Sequence, residues 1–151
     1  MKILVTVGTT QFNGLIETID NIAKTKKNYY VTFQIANGNY KPVNGEYFEF
    51  HNNINQYYSS SDLIITHAGA GSIYQLLKIN KKIIIVPNLE RVDKHQLDIA
   101  NYMDNNNYAL VCYSLEKLEN AIKKSLDFIP TPFTKKDFFK FTEIANYINS
   151  L

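Results

Sequence analysis

Short apolar runs alternate with longer amphipathic stretches along most of the chain. Residues 2–7 form a β-rich run that Gly8-Thr9-Thr10 ends. Residues 14–24 then carry Leu15, Ile16, Ile19, Ile22 and Ala23 at helical spacing. A second strand is predicted over 30–36, a Gly- and Pro-bearing loop over 37–45 and a short third strand over 46–50. A short helix over 54–60 leads to a continuous apolar strand at 62–66, a glycine turn and a helix from 72 to about 79. Residues 82–86 are another apolar strand, closed by Pro87, and 88–94 are a polar loop. A helix over 95–105, a strand over 108–112 and a helix over 115–126 behind the cap candidate Ser114 follow. Pro130-Thr131-Pro132 separates a last helix, 134–150, where Thr134 and Asp137 resemble a capping box.

Strands apolar on both faces belong in a parallel sheet covered by helices. The expected fold is therefore α/β: a Rossmann-like parallel sheet of about six strands with helices on both faces. The 151 residues, 45% of them hydrophobic, are expected to form a single domain with a substantial core, 1–151. The formal charge of +2 and the single arginine, Arg91, argue against nucleic acid as a partner. Cys112 is the one cysteine, so neither an intramolecular disulfide nor a cysteine zinc cluster can form. It is expected to be a buried, inert thiol. No run is long enough to span a membrane, and residues 1–7 are too short for a signal peptide. A cytoplasmic protein that reaches a membrane through a surface or a partner is expected.

Ligands of such folds bind beyond the carboxyl ends of the strands. Three segments fall at that edge. The most informative is Thr66-His67-Ala68-Gly69-Ala70-Gly71-Ser72, between strand and helix. A glycine turn there lets backbone N–H groups approach a phosphate or diphosphate, and the helix N-terminus adds partial positive charge. The plainer reading is that the glycines only let strand and helix pack. Gly8, Thr9 and Thr10 offer a second set of amides and hydroxyls, or else a tight turn with Thr as cap. Asn88 opens the third segment, which ends in His95-Gln96 at a helix start. Gln96 has a donor and an acceptor for paired sugar hydroxyls. His95 can contact the diphosphate or cap its helix, and Asp93 is an alternative cap. His67 can donate to a phosphate or carry a proton, but no catalytic base is assigned.

Val5-Thr6-Val7-Gly8-Thr9-Thr10 with Phe12, the 66–72 turn, and Pro87 with His95-Gln96-Leu97 and Ala100 together resemble the C-terminal half of glycosyltransferase family 28. The likeness spans roughly residues 1–112 and is strongest to the small subunits of two-component members. It implies a single donor-binding half of a GT-B fold that uses no cofactor and no metal. The donor would be a UDP-sugar and the acceptor a lipid-linked sugar. A separate membrane-anchored subunit would hold that acceptor and supply the general base. Gly8, Thr9, Thr10, His67, Gly69, Ala70, Gly71 and Ser72 would surround the diphosphate; Gln75, Asn88, His95 and Gln96 would serve the nucleotide and sugar.

One position departs from the family pattern. An acidic residue in the helix after the glycine turn would bind the ribose hydroxyls, and Gln75 stands there. Loss of a charge-assisted bond costs about 1–3 kcal/mol. The alternative is thus a non-catalytic partner or enhancer subunit. A flavodoxin-like module binding FMN or an adenine nucleotide is a third reading, and it leaves the His-Gln helix start unexplained. The apolar stripe of Phe138, Phe141, Ala145 and Ile148, beside Lys135-Lys136, is expected to help dock the partner subunit. Alone, the chain could self-associate through that surface.

Overall fold

The computed structural model describes residues 1–89 and 95–134. The expected last helix, its apolar stripe and the cap candidate Asp93 lie outside the described residues. Six parallel strands form one sheet in the order β3-β2-β1-β4-β5-β6. They are β1 (Lys2–Thr6), β2 (Tyr30–Gln34), β3 (Glu46–Phe48), β4 (Leu63–His67), β5 (Ile83–Val86) and β6 (Leu110–Val111). Among the described residues the α-helices are α1 (Asn13–Thr25), α2 (Asn55–Ser60), α3 (Ala70–Lys78), α4 (His95–Asn105) and α5 (Leu118–Ser125). This is the Rossmann order, not the flavodoxin order, and its reversal point lies between β1 and β4.

The central strands β1, β4 and β5 bury both faces, as their unbroken Ile, Leu and Val runs require. Ile3, Val5, Leu63, Ile65, Ile84 and Val86 pack under α1 and α5. The alternate residues Leu4, Ile64, Ile83 and Ile85 pack under α2, α3 and α4. Helices therefore cover both faces, and each strand presents its carboxyl end at one edge.

Several element ends differ from the sequence pattern, and β6 is shorter than the expected 108–112. Strands β2 and β3 stop before 36 and 50, where the chain turns away from the sheet. Helix α3 begins at Ala70, two residues earlier than the apolar pattern marks, because Ala70 and Gly71 carry no periodic signal. Ser114 precedes a 3-10 turn, Leu115–Lys117, and its side chain makes no capping bond. Cys112 follows β6, buried, with its thiol donating to the Ser114 carbonyl at 3.0 Å. Burial pushes the Cys112 thiol pKa up, against smaller opposing effects of Ser114 and Lys117.

Candidate functional site

All three predicted segments emerge at the carboxyl edge. Gly8 to Thr10 follow β1, the glycine turn follows β4, and Asn88 follows β5. The first two meet at the sheet's reversal point, and the imidazole of His67 joins them. A Cβ built on Gly8 would stand 2.9 Å from His67 Cε1. One built on Gly69 would stand 2.5 Å from His67 Nε2. The ring thus fills the space that both glycines leave.

Gly8 has a left-handed backbone, φ 61°, which favours glycine. Two buried polar side chains hold it there. Thr6 Oγ1 donates to Gln34 Oε1 at 2.5 Å, and Gln34 Nε2 donates to the Gly8 carbonyl at 3.2 Å. The Gly8 N–H donates to Thr6 Oγ1 at 3.3 Å. Sequence reasoning missed Gln34. Its signal was a polar residue inside the Phe33-Gln34-Ile35 strand end, in register with Thr6. Thr10 does not cap α1: Phe12 precedes that helix, and no side chain caps it.

The start of α3 is open. Gly69 is its N-cap residue, in extended backbone, and no side chain caps the helix. The Gly69 N–H turns back to the His67 carbonyl at 2.8 Å, and Ile73 N–H closes the first turn on the Gly69 carbonyl at 3.1 Å. The N–H groups of Ala70, Gly71 and Ser72 precede that closure and are the helix's outward donors. Gly71 is exposed, and among the described residues a Cβ on it would meet nothing within 4 Å. Packing therefore explains the absence of a side chain at Gly69 but not at Gly71. The Ser72 hydroxyl is engaged elsewhere, with the buried Tyr58 phenol of α2. Burial raises the Tyr58 pKa, and the hydrogen bond with Ser72 offsets part of that rise.

The third segment is partly self-satisfied. Gln96 Oε1 accepts the Asn88 N–H at 2.9 Å, so it braces the turn after β5. Its Nε2 is the atom suited to a ligand. Asn88 is buried, Gln96 half-buried, and His95 exposed at the start of α4. Gln75 is exposed on α3 and donates through Nε2 to Asn55 Oδ1 at 2.6 Å. Nothing local in the sequence marked Asn55.

A cavity of about 260 Å³ touches this edge, lined by Gly8, Thr9, Ala36, Asn37, Glu49 and Phe50. A larger hollow of about 510 Å³ lies against Lys2, Tyr30, Glu46 and Ser60, at the opposite end of the strands. It touches none of the residues above. Among the described residues, no three His, Cys, Asp or Glu side chains gather as a metal site.

A parallel sheet in this strand order, with two glycine turns and an uncapped helix start at its reversal point, defines a Rossmann-like α/β domain. The chain belongs to the glycosyltransferase family 28 C-terminal domain family, whose model matches residues 2–149. It is 41% identical over 78 residues to the UDP-N-acetylglucosamine transferase subunit ALG13 of Candida albicans, covering 52% of this chain and 26% of that protein. Identity to human ALG13 is 30% over 122 residues, 73% of this chain and 11% of that one. The chain thus spans about a quarter or less of these two relatives. The fold is shared with MurG of Acinetobacter baumannii: TM-score 0.67, 21% identity, 83% of this chain and 41% of that one. It is also shared with the solution structure of ALG13: TM-score 0.61, 18% identity, 95% of this chain and 93% of that one. Among the described residues, no helix is long and apolar enough to cross a membrane.

Proposed function

We propose that this chain is the UDP-sugar-binding half of a two-component inverting glycosyltransferase. A hexose or N-acetylhexosamine passes to a lipid-linked acceptor held by a separate membrane-anchored subunit. The observation that carries this reading is the open start of α3, with unobstructed space at Gly71 beside outward backbone N–H groups. Family membership and the name of the relatives, UDP-N-acetylglucosamine transferase subunit, support the donor and the division of labour.

In this mechanism an acceptor hydroxyl attacks the anomeric carbon, the bond to the diphosphate oxygen breaks, and configuration inverts. Charge grows on the leaving UDP. The N–H groups of Ala70, Gly71 and Ser72 lie ready at that oxygen's binding edge and need no reorganisation, which is the source of their stabilising effect. The acceptor proton goes to a base on the other subunit. His67 acts here by shape: its ring fixes the distance between the Gly8 and Gly69 turns. Gln96 Nε2 and His95 meet the sugar and diphosphate. The one domain, 1–151, supplies the donor site and its partner the acceptor site. That partner places the chain at the cytoplasmic face of a membrane.

Calorimetric titration with UDP, UDP-N-acetylglucosamine, UDP-glucose and UDP-galactose tests the reading, with ATP and FMN as controls. Selective uridine binding that Gly71→Val abolishes is expected. Equal binding of ATP, or uridine binding untouched by Gly71→Val, would overturn it.

A further inference from the structure

Tyr58 stands behind the open start of α3. It belongs to α2, is 3% exposed, and lies in the apolar cluster with Leu4, Ala68, Ile73 and Leu76. A phenylalanine ring would fill that space equally well. A buried phenol costs free energy unless its hydroxyl is paired. The partner is the hydroxyl of Ser72, in the first turn of α3. Within Gly69-Ala70-Gly71-Ser72, Ser72 alone has a polar side chain. A buried hydroxyl is thus directed at the one side chain of the turn that can offer a ligand a proton.

One contact does not exhaust two hydroxyls. Each carries one proton and two lone pairs. A single proton joins them, so either the phenol donates to Ser72 Oγ or Ser72 donates to the phenol. Burial raises the Tyr58 pKa above the ordinary 10.0, by more than the Ser72 bond lowers it, so the phenol keeps its proton at neutral pH. When the phenol donates, the Ser72 proton is left over on a half-buried side chain, beside the outward N–H groups of Ala70, Gly71 and Ser72. A diphosphate oxygen only accepts. Its arrival selects that direction, and a hydroxyl that is itself accepting a bond donates more strongly.

We propose that Tyr58 is a positioning residue of the donor site: its phenol donates to Ser72 Oγ and turns the Ser72 proton toward the diphosphate. Tyr58 touches no ligand and acts through Ser72. The inference rests on the donor-site reading above and adds to it a residue buried behind the site.

Titration of the full chain and three variants with UDP tests the relay. Tyr58→Phe keeps the ring and its packing, and should weaken UDP binding about two- to tenfold, the range for one net hydrogen bond. Ser72→Ala should weaken it at least as much. The double variant should bind as Ser72→Ala does, because Tyr58 then has nothing to act through. A phenol that only ties α2 to α3 would lower the urea midpoint of Tyr58→Phe and leave its UDP affinity at the parent value. UDP affinity unchanged in either single variant, or losses that add in the double variant, overturns the relay and leaves the donor site standing. Absence of UDP binding by the unmodified chain overturns the donor-site reading, and the relay with it.

Discussion

The imidazole of His67 occupies the space that a side chain on Gly69 would need: a Cβ there would lie 2.5 Å from Nε2 and 2.8 Å from Cε1. The Gly69 backbone itself, φ −84°, suits any residue. The conflict is thus between two side-chain positions, and it makes a separable prediction. Gly69→Ala should destabilise the fold by about 1–3 kcal/mol, the range for overpacking a filled site. His67→Ala should recover most of that loss in the double variant, because the clash partner is gone. Urea unfolding of the four proteins reads this directly. Additive losses would show that the ring and the turn are independent.

Gly71 should behave in the opposite way. Among the described residues, nothing beyond its own helix lies near its Cβ position. Gly71→Ala replaces a poor helix former and should leave stability unchanged or raise it by up to about 1 kcal/mol. UDP affinity should fall in the same variant, because the new methyl crowds the outward N–H groups. Calorimetry alongside thermal unfolding separates the two effects. Retained affinity would mean that the diphosphate does not approach this turn.

Gln34 touches no ligand in this account, yet its loss should be felt at the site. Gln34→Leu keeps the volume and strands the buried Thr6 hydroxyl and the half-buried Gly8 carbonyl. Each unsatisfied group costs about 1–3 kcal/mol. Release of the Gly8 turn should also weaken UDP binding. Gln34→Glu keeps an acceptor for Thr6 but loses the donor to Gly8, so it should hurt binding more than its stability loss explains. A stable variant with unaltered UDP affinity would remove Gln34 from the positioning of the site.

Much of this was legible in the sequence because it is local. Leu63 to Ile65 and Ile83 to Val86 are strands by composition alone, and the glycine turns announce themselves at strand ends. The parts that escaped depend on partners distant in the chain. Gln34 supports the site only because β1 and β2 pair with Thr6 opposite Gln34. Asn55 meets Gln75 only because α2 and α3 pack side by side. The start of α3 at Ala70 carries no apolar signal, since small residues there serve access rather than burial. Gln96 reads as a free ligand in sequence, but the fold turns its oxygen back onto the Asn88 N–H. Asp20 reads as an ordinary polar position of α1 until the loop after β2 closes over it.

That closure sets the pH dependence of the fold. Asp20 is buried on α1 and accepts the N–H groups of Val43 and Asn44, at 3.1 and 2.7 Å, and the Tyr40 hydroxyl at 2.8 Å. Burial alone raises its pKa, but the hydrogen bonds from Asn44, Val43 and Tyr40 outweigh burial and hold it below the ordinary 3.8. A depressed carboxyl contributes stability fully above its unfolded pKa and loses it as pH falls through the folded value. Asp20→Asn should therefore destabilise by about 1–3 kcal/mol at neutral pH, as expected for bonds to a charged acceptor. The gap should narrow as pH drops below 3.8 toward the lower folded value, because there the unfolded chain takes up a proton that the native carboxylate does not. Tyr40 carries the mirror effect. Its hydrogen bond to Asp20, then burial, push its pKa from 10.0 up to about 12. Its contribution is fully present below 10.0 and fades as pH rises through about 12. Urea midpoints for the parent, Asp20→Asn and Tyr40→Phe across acid, neutral and alkaline pH test both arms. A parent–Asp20→Asn gap that stays constant down to strongly acid pH would show that Asp20 is not the group whose protonation loosens the loop.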